Sequence, residues 1–179
     1  MNIFFKKTID KKVTQDSSGF TLLEILLVMF VVAFTFTGIY VILAKTAQHE
    51  KDNRYALIAA NLAQEGVEII RNRRDENLLN VIDMNVDLSS GICYPYWSGS
   101  QANCDNSREV EVEIDGGGVY RNCNGGCGTG VTIFERYCDI NSGAVDMTVR
   151  CTVEWQSPSL GTARSIETES FLTNWQENT

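Results

Sequence analysis

The chain has 179 residues, 44% of them apolar, and a formal net charge of −8. That length suits one domain with an anchor and is too short for two full domains. The acidic balance argues against generic nucleic-acid binding, which needs a basic footprint. Charge is also unevenly placed. Residues 1–19 carry Lys6, Lys7, Lys11 and Lys12 against Asp10 and Asp16, whereas the remainder holds 11 basic and 21 acidic residues.

After this basic leader comes an apolar run from Phe20 to Ala44, in which Glu24 is the only charged residue. A helix of that length rises ~37 Å, enough to cross a hydrocarbon core of ~30 Å. Lysines before the span and acids after it predict a single-pass membrane protein with a cytoplasmic leader and an exported C-terminal domain. A secretory signal of the cleaved type is a poorer fit, because its apolar region spans only ~7–15 residues and ends in a small-x-small site. An uncleaved signal anchor is the stronger alternative. A carboxylate in a membrane helix costs roughly 2.5–3.5 kcal/mol even on lenient insertion scales. Glu24 therefore needs a cationic partner.

The run Gly19-Phe20-Thr21-Leu22-Leu23-Glu24, between a basic leader and a long apolar helix, resembles the prepilin signal of type IV pilins and pseudopilins. The resemblance implies an α+β, pilin-like fold, with a long N-terminal helix packed on a C-terminal antiparallel sheet. It further implies that a prepilin peptidase cuts between Gly19 and Phe20 and methylates the new amino terminus of Phe20. Glu24 would then pair with the terminal amine of a neighbouring subunit and dock the chain into a filament. The implied partners are that peptidase, other pilin or pseudopilin subunits, and membrane lipid before assembly.

The expected division is a leader at 1–19, a transmembrane and assembly helix at 20–44, an amphipathic helix half at 45–75, and an exported loop and sheet region at 76–179. Thr35, Thr37 and Gly38 interrupt the apolar half without a charge. Gly38 costs about 1 kcal/mol relative to Ala in a helix, so it marks either a bend or, as we favour, a close helix–helix contact. Beyond Lys45, a stripe of Tyr55, Ala59, Leu62, Gly66, Ile69 and Ile70 repeats at helical spacing and predicts a face buried on a sheet. Glu65, Glu68, Arg71, Arg73 and Arg74 are expected to stay wet. His49, the sole histidine, has polar neighbours and reads as a solvated helix residue. The stretch 60–77 also resembles the helix end of PilV-like minor pilins, which points to a minor subunit.

Residues 76–109 show little periodicity and many turn formers, and are expected to be loop. The cluster Tyr94-Pro95-Tyr96-Trp97 within them is expected to pack on the sheet, with recognition as the alternative. Glu109–Ile114 alternates acid and aliphatic, the pattern of a half-buried strand. A turn at Asp115–Gly118 leads into Val119 and Tyr120, and the glycine-rich stretch 122–130 reads as a loop. Residues 131–137, 145–155 and 164–172 predict three further strands, antiparallel because their connections are short.

All six cysteines, Cys93, Cys104, Cys123, Cys127, Cys138 and Cys151, lie in the region expected to be exported. An even count on the oxidising side predicts up to three disulfides, with 15 connectivities open. Proximity favours Cys93–Cys104 and Cys123–Cys127, leaving Cys138–Cys151. The competing reading, zinc at Cys123-x3-Cys127, has unusual spacing and a remote histidine. No cofactor or metal is expected, since no EF-hand spacing is present either. There is no second histidine, nucleophile elbow, phosphate-binding loop or His-Glu-x-x-His. The expected function is therefore structural and not enzymatic: a subunit, expected to be minor, of a type IV pilus or secretion pseudopilus. The alternative is a monomeric membrane-anchored binding module that takes a ligand through its aromatic and Cys-rich loops.

Overall fold

A computed structural model describes residues 19, 21–98, 101–157 and 161–176. Among the described residues, one helix, α1 (Leu22–Leu79), precedes seven strands: β1 (Gly91–Ser98), β2 (Gln101–Asp105), β3 (Glu111–Ile114), β4 (Tyr120–Asn122), β5 (Val131–Ser142), β6 (Asp146–Gln156) and β7 (Ala163–Thr173). The architecture is α+β, as the sequence pattern predicts. The chain divides into two compact units between Lys45 and Thr46.

In the first unit, the described residues up to Lys45 are all exposed. Leu22, Phe30, Phe34 and Tyr40 stand at 72–78% exposure. The helix stays regular through Gly38, where an added Cβ would meet nothing within 4 Å. The hydroxyls of Thr35 and Thr37 donate to the carbonyls of Val32 and Ala33, at 2.8 and 2.9 Å. Their polarity is thus satisfied within the helix, as a lipid environment requires.

The second unit is built around β5. Along one of its edges lies β6 and then β7, in register from Phe134 opposite Trp155 to Ser142 opposite Met147. Its other edge is shared end to end by two strands. β3 takes the first part, with Glu111 opposite Glu135, and β1 takes the last, with Cys93 opposite Cys138. β2 extends β1 and β4 extends β3, and every pairing is antiparallel. The predicted stripe on α1 is the buried one: Ala59, Leu62, Gly66, Ile69 and Ile70 are buried, and Tyr55 is half-buried. Inward residues of the sheet (Phe134, Cys138, Met147, Val149, Cys151, Val153 and Trp155) complete two apolar clusters with it.

Several expectations need correction. Residues 91–98 and 101–105, expected to be loop, form the paired strands β1 and β2. Pro95 breaks the strand pattern in sequence but is tolerated opposite Cys104 in this outer pair. α1 runs four residues past Asp75, because Asn77 and Leu78 are buried. Its end is closed by Val81, at φ 57°, and by the Ile82 amide donating to the Asn77 carbonyl. Strand β3 begins at Glu111, two residues later than the alternation suggests, while β5 continues to Ser142. Arg74, expected to be wet, is buried, with its guanidinium donating to the Thr173 carbonyl.

Candidate functional site

The N-terminal site is built by a helix cap. Thr21 precedes α1, and its carbonyl and Oγ1 accept the Glu24 amide at 3.0 and 3.3 Å. Thr21-x-x-Glu24 has the spacing of a capping box. Glu24 lies in the first turn, where the helix dipole favours an anion. Its side chain is exposed, and among the described residues it has no ion-pair partner. Gly19 is exposed as well, and Phe20 lies outside the described residues. Among the described residues, the geometry is an unpaired carboxylate near the start of the exposed apolar part of α1.

The cysteines form three disulfides, Cys93–Cys104, Cys123–Cys127 and Cys138–Cys151, which are the pairs that proximity favours. Cys93, Cys138 and Cys151 stand directly opposite one another across β1, β5 and β6, and Cys138 and Cys151 are fully buried. Glu109 lies close to Cys123 and Cys127, a trio of metal-ligating types, but the disulfide already uses both sulfurs. The Glu109 carboxylate instead accepts the Gly126 amide, and Glu113 accepts that of Gly128, each at 2.8 Å. Two side chains of the β3 region thus strap the glycine-rich loop down. The Gly128 amide, with the Arg121 guanidinium, holds the Glu113 carboxyl below its ordinary range.

The residue that sequence reasoning missed is Arg136. It is fully buried on β5, at the seam where β1 and β3 meet. Its Nε donates to Asn122 Oδ1 at 2.9 Å, one terminal nitrogen to Glu65 at 3.0 Å, and the other to the Pro95 carbonyl at 3.0 Å. Asn122 in turn donates to the carbonyls of Glu109, Val110 and Arg136. Burial pushes the guanidinium pKa down and the Glu65 carboxylate opposes that, but an arginine so placed stays charged. Glu65 is therefore an internal counter-ion and not merely a wet helix residue. A signal was present in sequence: Phe134, Arg136, Cys138 and Ile140 share one parity, so Arg136 had to point inward.

The Tyr-Pro-Tyr-Trp cluster lies on β1. Pro95 is buried, Tyr94 and Tyr96 are half-buried, and Trp97 is 45% exposed. Tyr96 donates its hydroxyl to Asp105 at 2.7 Å, and the Arg108 guanidinium sits 4.0 Å from its ring centre. His49 is exposed on α1.

Residues 15–40 match the family model described as a prokaryotic N-terminal methylation motif. The chain carries a type IV pilin-like prepilin signal. No curated protein and no solved structure shows a match to the chain.

Proposed function

We propose that this chain is a minor subunit of a type IV pilus or a secretion pseudopilus, assembled through its N-terminal helix. The methylation motif supports the coarser statement, a type IV pilin- or pseudopilin-like subunit processed by a peptidase and assembled with others of its kind. One observation carries the assembly reading: the apolar part of α1 up to Ala44 is wholly exposed, and its only charge is Glu24 in the first turn, which has no ion-pair partner among the described residues. Lipid covers that surface first, and neighbouring helices cover it afterwards. The leader, residues 1–19, stays cytoplasmic, and the sheet unit is exported.

Cleavage after Gly19 supplies the missing cation. The amine of Phe20 keeps its proton after methylation, since a secondary amine is as basic as a primary one. Paired with Glu24 of a neighbour in a low-dielectric filament core, it replaces two separately unfavourable charges by one ion pair. Register follows, because each subunit offers one cation and one carboxylate four residues apart.

The test has two parts. Mass spectrometry of the mature protein is expected to find N-methyl-Phe20 as the first residue, and an intact Met1 terminus sinks the reading. Glu24→Ala is expected to be cleaved normally yet to disappear from sheared filaments. Normal incorporation of that variant would show that the carboxylate does not dock the subunit.

A further inference from the structure

A small recess of about 100 Å³ opens between α1, β1 and β4. Tyr96, Trp97 and Tyr120 line it together with Val119, and Trp97 and Val119 are about half exposed at its rim. Two carboxylates, Glu65 and Asp115, and two guanidinium groups, Arg121 and Arg136, complete the lining.

The four charged groups and Tyr96 are held by other parts of the protein. Arg136 is fixed at the sheet seam and bound to Glu65. Asp115 accepts the amides of Gly117 and Val119 at 2.8 and 3.0 Å, and its other oxygen faces Arg121 at 3.8 Å. Arg121 also donates to Glu113 at 3.1 Å. Tyr96 is pinned by Asp105 at its hydroxyl and by Arg108 over its ring. A wall whose side chains are already ordered loses little entropy on binding.

The chemistry of the lining selects the ligand. An anion entering here meets Glu65 and Asp115, and a cation meets Arg121 and Arg136, so neither charge is favoured. A hydroxyl group both donates and accepts, so it can use the carboxylates and the guanidinium groups together. Aromatic walls favour a ligand with an apolar C–H face beside its hydroxyls. The volume holds several waters and so admits the hydroxyl-bearing edge of one ring. From this we propose that the recess is a binding site for a neutral pyranose sugar, with Trp97 and Tyr120 as the stacking surface and Asp115 and Arg121 as hydroxyl partners. The recess belongs to the sheet-bearing unit, so the proposal stands whether or not the chain enters a filament.

The experiment titrates the full-length chain, held in a detergent without a sugar headgroup, with a panel of neutral methyl pyranosides. Tryptophan fluorescence and ligand-observed NMR are the readouts. At least one glycoside is expected to bind with a dissociation constant in the millimolar range. Trp97→Ala and Tyr120→Ala should each weaken it about tenfold, and Phe171→Ala, exposed on β7, should leave it unchanged. Arg121→Leu, on the exposed rim, provides a second reading should an aromatic variant fail to fold, and is also expected to weaken binding. The proposal is overturned if no neutral glycoside binds, or if binding survives both Trp97→Ala and Arg121→Leu. It is equally overturned if only N-acetylneuraminate, phosphate or an alkylammonium ion binds.

Discussion

At the scale of single residues, Arg136 shows how one side chain can set a sheet's shape. β5 pairs with two strands on one edge, and Arg136 sits where they meet. The guanidinium, with a fork of five donors, reaches the Pro95 carbonyl, the Asn122 side chain and Glu65 at once. Replacing it by Met keeps much of the volume and orphans those acceptors. Arg136→Met is expected to lower stability by about 2–4 kcal/mol, the sum of a lost charged hydrogen-bond set and imperfect packing. Arg136→Lys should recover little of this, because one ammonium cannot span acceptors on β1, β4 and α1. Denaturant unfolding of the oxidised protein measures both, and a loss below ~0.5 kcal/mol for the Met variant would show that the seam holds without the network.

Among the elements, α1 and the β5–β6 pair fit through a glycine. A Cβ added at Gly66 would lie 3.0 and 3.1 Å from the sulfurs of Cys151 and Cys138. A disulfide cannot swing aside as a flexible side chain would, so the helix itself must move. Overpacking of this kind costs about 1–3 kcal/mol, against a gain of about 1 kcal/mol in helix propensity. Gly66→Ala is expected to destabilise the protein when the disulfide is present. Combined with Cys138→Ala and Cys151→Ala, the same substitution should become neutral or stabilising by up to ~1 kcal/mol. A double-mutant cycle decides it, and equal effects in the two backgrounds would contradict the contact. Gly66 thus had a place in the predicted stripe, but its reason is visible only with the cysteines beneath it.

For the whole molecule, the acidic surface is partly built into the fold. Backbone amides of Val119 and Gly117 hold the Asp115 carboxyl below its ordinary pKa, and the Gly128 amide and Arg121 do the same for Glu113. Burial pushes Asp105 up, but hydrogen bonds from Ser107 and Tyr96 outweigh it and leave the group lowered. A carboxylate depressed in the folded state contributes stability that is present above its unfolded pKa and lost as pH falls through the folded value. The ordinary values here are 3.8 and 4.5. Melting temperature is therefore expected to hold from pH 7 to about 5 and then to fall below about pH 4. The Glu113→Gln, Asp115→Asn variant should start lower at neutral pH and decline less steeply in acid. An acid limb as steep as that of the wild type would assign the loss to other carboxylates.

Local pattern alone determined the apolar span with its single acid, the buried stripe of α1 and the strands from Val131 onward, and short separation favoured the cysteine pairs that form. Each of these depends on periodicity or short separation, which a linear reading contains. The β1–β2 hairpin was illegible, because Pro95 and the turn formers around it weaken its own propensity, and pairing with β5 with the Cys93–Cys104 bridge overrides that. The same holds for the partners of Arg136. Its inward parity could be read, but Glu65, Pro95 and Asn122 are 71, 41 and 14 residues away. Only the tertiary structure could bring them to one guanidinium, since the pull of an unsatisfied buried charge acts through space and leaves no period in the sequence.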